Sequence, residues 1–395
     1  MRRNIIIVLI MATIVSCVGC ANRIGTVSGT THEIENPTDT PMTGESITDE
    51  KTEISDATDT SKITETSAIP ETSEIPNTDE NIEDQEPVVE DKSFSIKLTF
   101  TGDMMLASYK NQTTSGSFNE YSDEKDPSYF LEKVRAYFEE DDFTIVNLEN
   151  VFTNQNLKEV EKDHDPAYWY RSRTSNVDIL TCSSVEGVSL ANNHTNDYGS
   201  EGRNDTIETV KNAGLQYGLE SKIMYFEKNG FTVAVICNGL WGEWQADSII
   251  KLIKKAEENS DYQIVFYHGG KERLHEPEEW KVRASRKLVD NGADLVIGNH
   301  PHVLQPREVY NGAEIIYSMG NFCYGGSRSP ENRTIIYRME LKINENLEVE
   351  ESISTIIPCY VYTDTKNNYQ PAPVDDEKIK NKILDFMDGK LDTPV

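Results

Sequence analysis

Seven side chains able to hold a metal or move a proton recur along this sequence, each placed directly after an apolar run. They are Asp103, Glu149, Asn193, His194, His268, His300 and His302. Two carboxylates, an amide oxygen and three imidazoles among them suit a borderline divalent cation such as Zn²⁺, Mn²⁺ or Fe²⁺. Six donors are enough for two ions if one carboxylate bridges them. Two ions about 4 Å apart form the clamp used in phosphoester cleavage, steadying both the attacking and the leaving oxygen.

Each residue also has a plainer reading. Asp103 after Gly102 can cap a turn, and Glu149 can be a polar strand end. Asn193 and His194 can close a turn through side-chain hydrogen bonds, and Asn321 between Gly320 and Phe322 can supply a left-handed turn position. His300 and His302 resist this treatment most, because two imidazoles after a buried strand are costly without a role. An extended segment fixed by Pro301 would point both rings the same way. His164 and His275 stand in charged loops and are expected to be solvated.

The elements that must position these residues alternate in type. Apolar alternation predicts strands over 95–101, 142–148, 185–190, 231–237, 263–267, 295–297 and 315–317, with two more over 334–343 and 349–357. Helices are predicted over about 127–139, 204–213, 248–258, 277–291 and 378–387. Gly214 and Gly292 suit left-handed C-caps, and Pro277 suits a helix start. The β-α-β-α order predicts an α/β domain, and in such sheets ligand sites gather at the C-terminal strand ends. Residues distant in sequence would converge there.

The two ends of the chain read differently. Residues 1–20 begin with Arg2 and Arg3, continue through an apolar run from Ile5 to Val15, and end in Gly19-Cys20. The run is too short for a transmembrane helix of about 20 residues and fits a signal peptide. A small residue before Cys20 resembles a bacterial lipobox, so Cys20 would carry lipid and anchor the chain on the outer side of a membrane. Cys17 departs from the Leu usual at its place. The alternative is an ordinary signal peptide and a free secreted protein.

Residues 21–92 hold 19 acids against 4 Lys and Arg, and few aromatic residues. Such a Thr/Ser/Pro-rich stretch cannot bury enough apolar surface to offset its ordering entropy, so it is expected to be a disordered tether. It accounts for half of the chain's net charge of −30. No basic stripe interleaved with aromatics occurs, which argues against a nucleic-acid partner. The rest of the 395 residues is expected to form one domain over 93–360 with an extension over 361–395. Its cysteines, Cys182, Cys237, Cys323 and Cys359, form no CxxC pair and read as small thiols in strands.

The order of motifs resembles one family. Thr101-Gly102-Asp103-Met104-Met105, Asn147-Leu148-Glu149, Ala191-Asn192-Asn193-His194 with Asp197-Tyr198-Gly199, and His268-Gly269-Gly270 are followed by Gly298-Asn299-His300-Pro301-His302 and Ser318-Met319-Gly320-Asn321-Phe322. Over about 95–325 the chain looks like the CapA family of poly-γ-glutamate capsule synthesis. That resemblance implies a four-layer α/β/β/α sandwich similar to the calcineurin-like metallophosphoesterases. It implies one or two divalent ions (Mn, Zn or Fe) held by Asp103, Glu149, Asn193, His268, His300 and His302, with Glu149 a candidate bridge. It implies His194 as general acid or transition-state donor, and makes Asn321 a secondary candidate.

Three positions depart from the related patterns. Met105 stands where the wider phosphoesterases have a histidine, and Leu148-Glu149 where they have Gly-Asp. Gly269 follows His268 where the capsule family usually has Trp. One ligand fewer leaves a single tight metal, or a weaker second one, open. Two functions follow from the resemblance: a metal-dependent hydrolase or transferase at the bacterial cell surface, or a non-catalytic accessory factor. The second would bind an anionic envelope polymer or a capsule synthase complex in the membrane.

Overall fold

The structure, a computed structural model, describes residues 93–394 apart from 111, 113, 114 and 165. The expected signal peptide over 1–20, Cys20 and the expected tether over 21–92 lie outside the described residues. Among the described residues the chain forms a mixed α/β fold with two large sheets and one small one.

The first large sheet has eight strands and is built around the long strand Phe94–Met105. On one side this strand pairs in parallel with Phe143–Leu148, which pairs in turn with Gly187–Ser189 and then Gln216–Gly218. On the other side it pairs antiparallel with Thr334–Ile343 and, at its end, in parallel with Asn321–Tyr324. Strands Val349–Tyr360 and Ala372–Pro373 complete that edge. The second sheet has six strands, ordered Leu304–Tyr310, Ala313–Met319, Leu295–Asn299, Tyr262–His268, Phe231–Gly239 and Met224–Lys228.

Strand Tyr262–His268 shows why these residues make a buried sheet. Ile264 and Phe266 point into the core shared with the first sheet, while Val265 and Tyr267 point to the other face. Alternation of period two with apolar residues on both faces is what a sheet covered on both sides requires. Phe266 meets Phe100 of the first sheet with ring centroids 5.7 Å apart. Truncating Phe266 to Ala would cost about 3–5 kcal/mol. The opposite face is covered by helices Ala246–Glu257 and Glu279–Asp290 through Ile249, Ile253, Ala284 and Leu288. In the second of these helices the buried positions are 281, 284, 285 and 288, a helical stripe that includes Lys281. Gly292, at φ 109°, lets the chain turn out after it.

Several expectations need correction. The first strand does not stop before Asp103 but runs to Met105, so Asp103 sits inside it. Gly102 permits this, because a Cβ there would lie 2.0 Å from the Gly320 carbonyl oxygen. The helix expected over 127–139 is a 3₁₀ turn, Pro127–Tyr129, and a short helix, Arg135–Glu139. Tight turns between them bury Phe130, Leu131 and Val134 together. Helix Phe118–Glu124 and strand Leu304–Tyr310 carry no clear period and went unpredicted. His275 is not solvated; its ring lies between the Leu304 carbonyl, 2.9 Å away, and Glu331. Cys237, Cys323 and Cys359 are buried free thiols in strands, as expected, whereas Cys182 is half-buried beyond a helix. None of the described helices is long and apolar enough to cross a membrane.

Candidate metal centre

The C-terminal ends of both large sheets meet at one place. Strand pairing sets Asp103 beside Asn147 and Asn321 in the first sheet. It sets His268 between Gly239 and Asn299 in the second. Glu149 follows its strand and is fixed by its amide, which donates to the Met104 carbonyl at 2.8 Å. All seven residues singled out in the sequence converge here.

Glu149 is at the middle. Nε2 of His268, His302 and His194 lies 3.5, 3.8 and 3.9 Å from its Oε1. Both of its carboxyl oxygens are buried, and neither has a hydrogen-bond partner. Burial drives its pKa well above the usual carboxylate range, with the nearby Asp103 and Glu272 charges adding to this against the pull of His302. An unpartnered buried carboxylate is expensive. It makes sense if a cation completes the site, because donors bonded to one ion at about 2.0–2.2 Å lie within such distances of one another. The donor atoms of Glu149, His268 and His300 cluster in this way, as do those of Asp103, Glu149 and His302.

Asp103 is held differently. Its Oδ1 accepts from Asn147 Nδ2 at 2.8 Å, and its Oδ2 accepts from the His300 amide at 3.1 Å. His302 Nδ1 lies 3.1 Å from Oδ2. Burial would raise its pKa, but hydrogen bonds from His268 and His302 outweigh this and hold it far below the usual range. The same partners act on His302. Burial opposes its charge, yet Glu149 and Asp103 raise its pKa to about 9. Burial lowers the pKa of His268 and, further helped by the neighbouring imidazoles, that of His300.

His300-Pro301-His302 is not the extended segment expected. His300 has φ 97° and His302 φ 57°, left-handed values that non-glycine residues rarely adopt. The bend, not strand alternation, aims both rings inward. Such strain persists where the surroundings over-determine it, and it concentrates at functional sites. Asn321 helps to hold it: its Nδ2 donates to the His302 carbonyl, and its Oδ1 lies 3.0 Å from His302 Nδ1. Asn321 is therefore a positioning residue; the left-handed position belongs to Gly320, at φ 71°. Asn193 is exposed, with Oδ1 2.8 Å from His268 Nε2.

Five participants carried no assigned role in the sequence. Asp197 Oδ2 lies 2.8 Å from His194 Nδ1, and its Oδ1 lies 2.6 Å from Lys162 Nζ. Its spacing of three residues after His194 was the available signal. Asn147 bridges Asp103 and His268. Glu272, exposed in the loop after His268, groups with His300 and His302. Tyr170 packs edge-on against His194 at 4.7 Å. Trp241 covers the rim, 4.9 Å from His300 and 5.7 Å from His268. Gly269 makes room for it, since a Cβ there would lie 1.8 Å from the Leu240 carbonyl oxygen. The missing Trp after His268 is thus matched by an indole from the neighbouring strand end. Arg283, Arg286 and Lys287 do not serve the site; they pair with Glu243, Glu308 and Asp247.

Fold and cluster together define an α/β domain with a candidate divalent-cation centre where two sheets meet. Comparison with known proteins gives the family. The chain belongs to the bacterial capsule synthesis protein family PGA_cap, whose model matches residues 97–325. It is 28% identical over 314 residues to the PGA biosynthesis protein CapA of Bacillus subtilis, covering 73% of this chain and 76% of that one. It is 26% identical to the capsule biosynthesis protein CapA of Bacillus anthracis, covering 75% of this chain and 74% of that one. A probable polyglutamine synthesis accessory protein of Mycobacterium tuberculosis is 25% identical over 51% of this chain and 60% of its own length.

Proposed function

We propose that this chain acts in polyglutamate capsule synthesis as a cell-surface lipoprotein whose domain is a metal-dependent hydrolase or transferase. The observation that carries the reading is Glu149, whose two buried oxygens lack any hydrogen-bond partner and face a ring of imidazoles. Asp103, Glu149, His268, His300 and His302 would hold the ion, with Asn193 completing the set. A bound divalent cation polarises a phosphoryl or carbonyl oxygen and makes water a nucleophile near neutral pH.

The chain's own contribution is proton handling. Asp197 holds Nδ1 of His194 and turns Nε2 toward Glu149. Burial, opposed by Asp197, lowers the His194 pKa. His194 would give a proton to the leaving atom or stabilise the charge that develops there. Two facing sheets, with helices over the second, support a four-layer α/β/β/α sandwich of metallophosphoesterase type. The reading includes a signal peptide over 1–20 with lipid on Cys20, a tether over 21–92, the domain over 93–360 and an extension over 361–395. Palmitate labelling that disappears in Cys20→Ser tests the anchor.

One observation favours the accessory-factor alternative, in which the chain binds an anionic envelope polymer or a synthase complex. Met105, standing where related enzymes have a histidine, is buried with Tyr170, Tyr324 and Val361 and offers no ligand to a second ion. Elemental analysis of the purified protein beside a His300→Ala/His302→Ala variant separates the two. One or two divalent ions per chain, lost in the variant, support the metallohydrolase. A wild-type protein that takes up neither Mn²⁺ nor Zn²⁺ excludes it and leaves the accessory factor.

A further inference from the structure

A cavity of about 570 Å³ lies beside the small three-stranded sheet formed by Ser108–Tyr109, Tyr170–Ser172 and Val151–Phe152. Its lining includes Lys110, Lys158, Arg171, Glu159, Asn156 and Tyr198. Three cations against one carboxylate run counter to a chain with 68 acids and 38 Lys and Arg. Glu159 is paired with Lys110, and Lys158 has no ion pair among the described residues. We infer that this cavity binds the carboxylates of a γ-linked glutamate chain at a site separate from the metal centre. The inference rests on the polyglutamate reading above and adds to it a polymer subsite.

Arg171 is the anchor. Its guanidinium lies 5.0 Å from the Tyr198 ring, and its Nη1 donates to the Gln155 carbonyl at 3.1 Å. A fork held in place in this way loses little entropy on taking a carboxylate through two parallel hydrogen bonds. Lys110 and Lys158, both exposed on this rim, add charge without fixed geometry. That division suits a flexible polyanion with one carboxylate per repeat: one group is seated, and its neighbours are attracted.

The placement explains why the site would serve the reaction yet remain distinct from it. Side chains alternate along a strand. Tyr170 therefore faces His194, 4.7 Å away, while Arg171 faces the cavity on the other side of the small sheet. The same split recurs between Asp197, which holds His194, and Tyr198, which lines the cavity. The two sites thus share a wall. A long chain seated in one stays close to the other, raising the local concentration of its free end.

The test is binding of γ-linked glutamate oligomers to the full chain by calorimetry, with free glutamate and polyphosphate as controls. Wild type should bind the oligomer in a salt-dependent way, at least tenfold more tightly than either control. Lys158→Glu should weaken binding at least tenfold while leaving metal content and melting temperature unchanged. Arg171→Lys, which keeps the charge and loses the fork, should weaken it severalfold. The His300→Ala/His302→Ala variant should bind the oligomer like wild type, whatever its activity. Equal binding by Lys158→Glu and wild type would overturn the inference, as would no binding by wild type. Loss of binding in the double His variant would assign the polymer to the metal centre instead. Tighter binding of polyphosphate would overturn the carboxylate assignment. The enzymatic reading stands or falls separately, on metal content.

Discussion

His194 and Asp197 are joined from Nδ1 to Oδ2 at 2.8 Å, and this contact decides which imidazole nitrogen faces Glu149. Asp197 is itself fixed, by Lys162 and by the Tyr170 amide at 2.8 Å. Replacing it with Asn keeps the shape but no longer dictates the proton's place on the ring. Asp197→Asn should lower turnover about 10–100-fold, the usual cost of losing an orienting partner. Metal content should stay at the wild-type level. Loss of the ion together with activity would place Asp197 in the ligand set.

Metal uptake should release protons. His302 holds its proton up to about pH 9 in the ion-free site, because Glu149 and Asp103 outweigh burial. Burial likewise pushes the Glu149 pKa above the ordinary carboxylate range. Any proton held on either group must leave before a cation binds. Affinity for Mn²⁺ or Zn²⁺ should therefore rise as pH goes from 7 to 9. Calorimetry at pH 7 in two buffers of different ionisation heat should show protons released as the ion binds. His302→Ala should release fewer.

Ion-free stability should fall across the same window. A group whose folded pKa lies above its unfolded value stabilises the fold fully below the unfolded pKa, and loses that contribution as pH rises through the folded one. For His302 the loss runs from about 6.5 to about 9. Urea midpoints of chelated wild type should decline over this range more steeply than those of His302→Ala. Parallel curves would refute the assignment.

Lys281 should act with the opposite sign. It is buried, its amine donates to Gln305 Oε1 at 2.9 Å, and burial lowers its pKa to about 7. Between pH 7 and its unfolded value the unfolded chain binds the extra proton, so stability contributed by this group rises with pH. Lys281→Met should flatten that rise, and the difference in denaturation midpoints between the two proteins isolates the amine. An unchanged slope would mean the amine stays charged.

Trp241 should report the ion. Its indole lies over His300 and His268 and is 41% exposed, so quenching by paramagnetic Mn²⁺ should reach it. Most of the quenching of the four tryptophans should vanish in Trp241→Phe. Persistence of the signal would place the ion elsewhere.

Much of the site was legible in the sequence because its residues follow apolar runs, and parallel strands end on one edge of a sheet. Asp103, Glu149, His268, His300 and His302 could be picked out by that rule alone. Lys162 and Trp241 could not. They sit in loops whose course depends on packing, such as the close approach of Leu240 to Gly269. The rule also misjudged detail. Asp103 lies inside its strand, and His300 and His302 are aimed by strained left-handed backbone instead of extension.

What the sequence determined by itself is local: an alternating α/β order and a set of donors at strand ends. These follow from side-chain period and composition, which neighbours along the chain express directly. Only the tertiary structure decided that two sheets bring their ends together around Glu149, that Asn321 holds His302, and that Arg171 turns away from His194 into a separate cavity. Those relationships join residues up to some 200 positions apart, such as the His300 amide and Asp103. They exist only once the facing sheets have excluded water from the space between them.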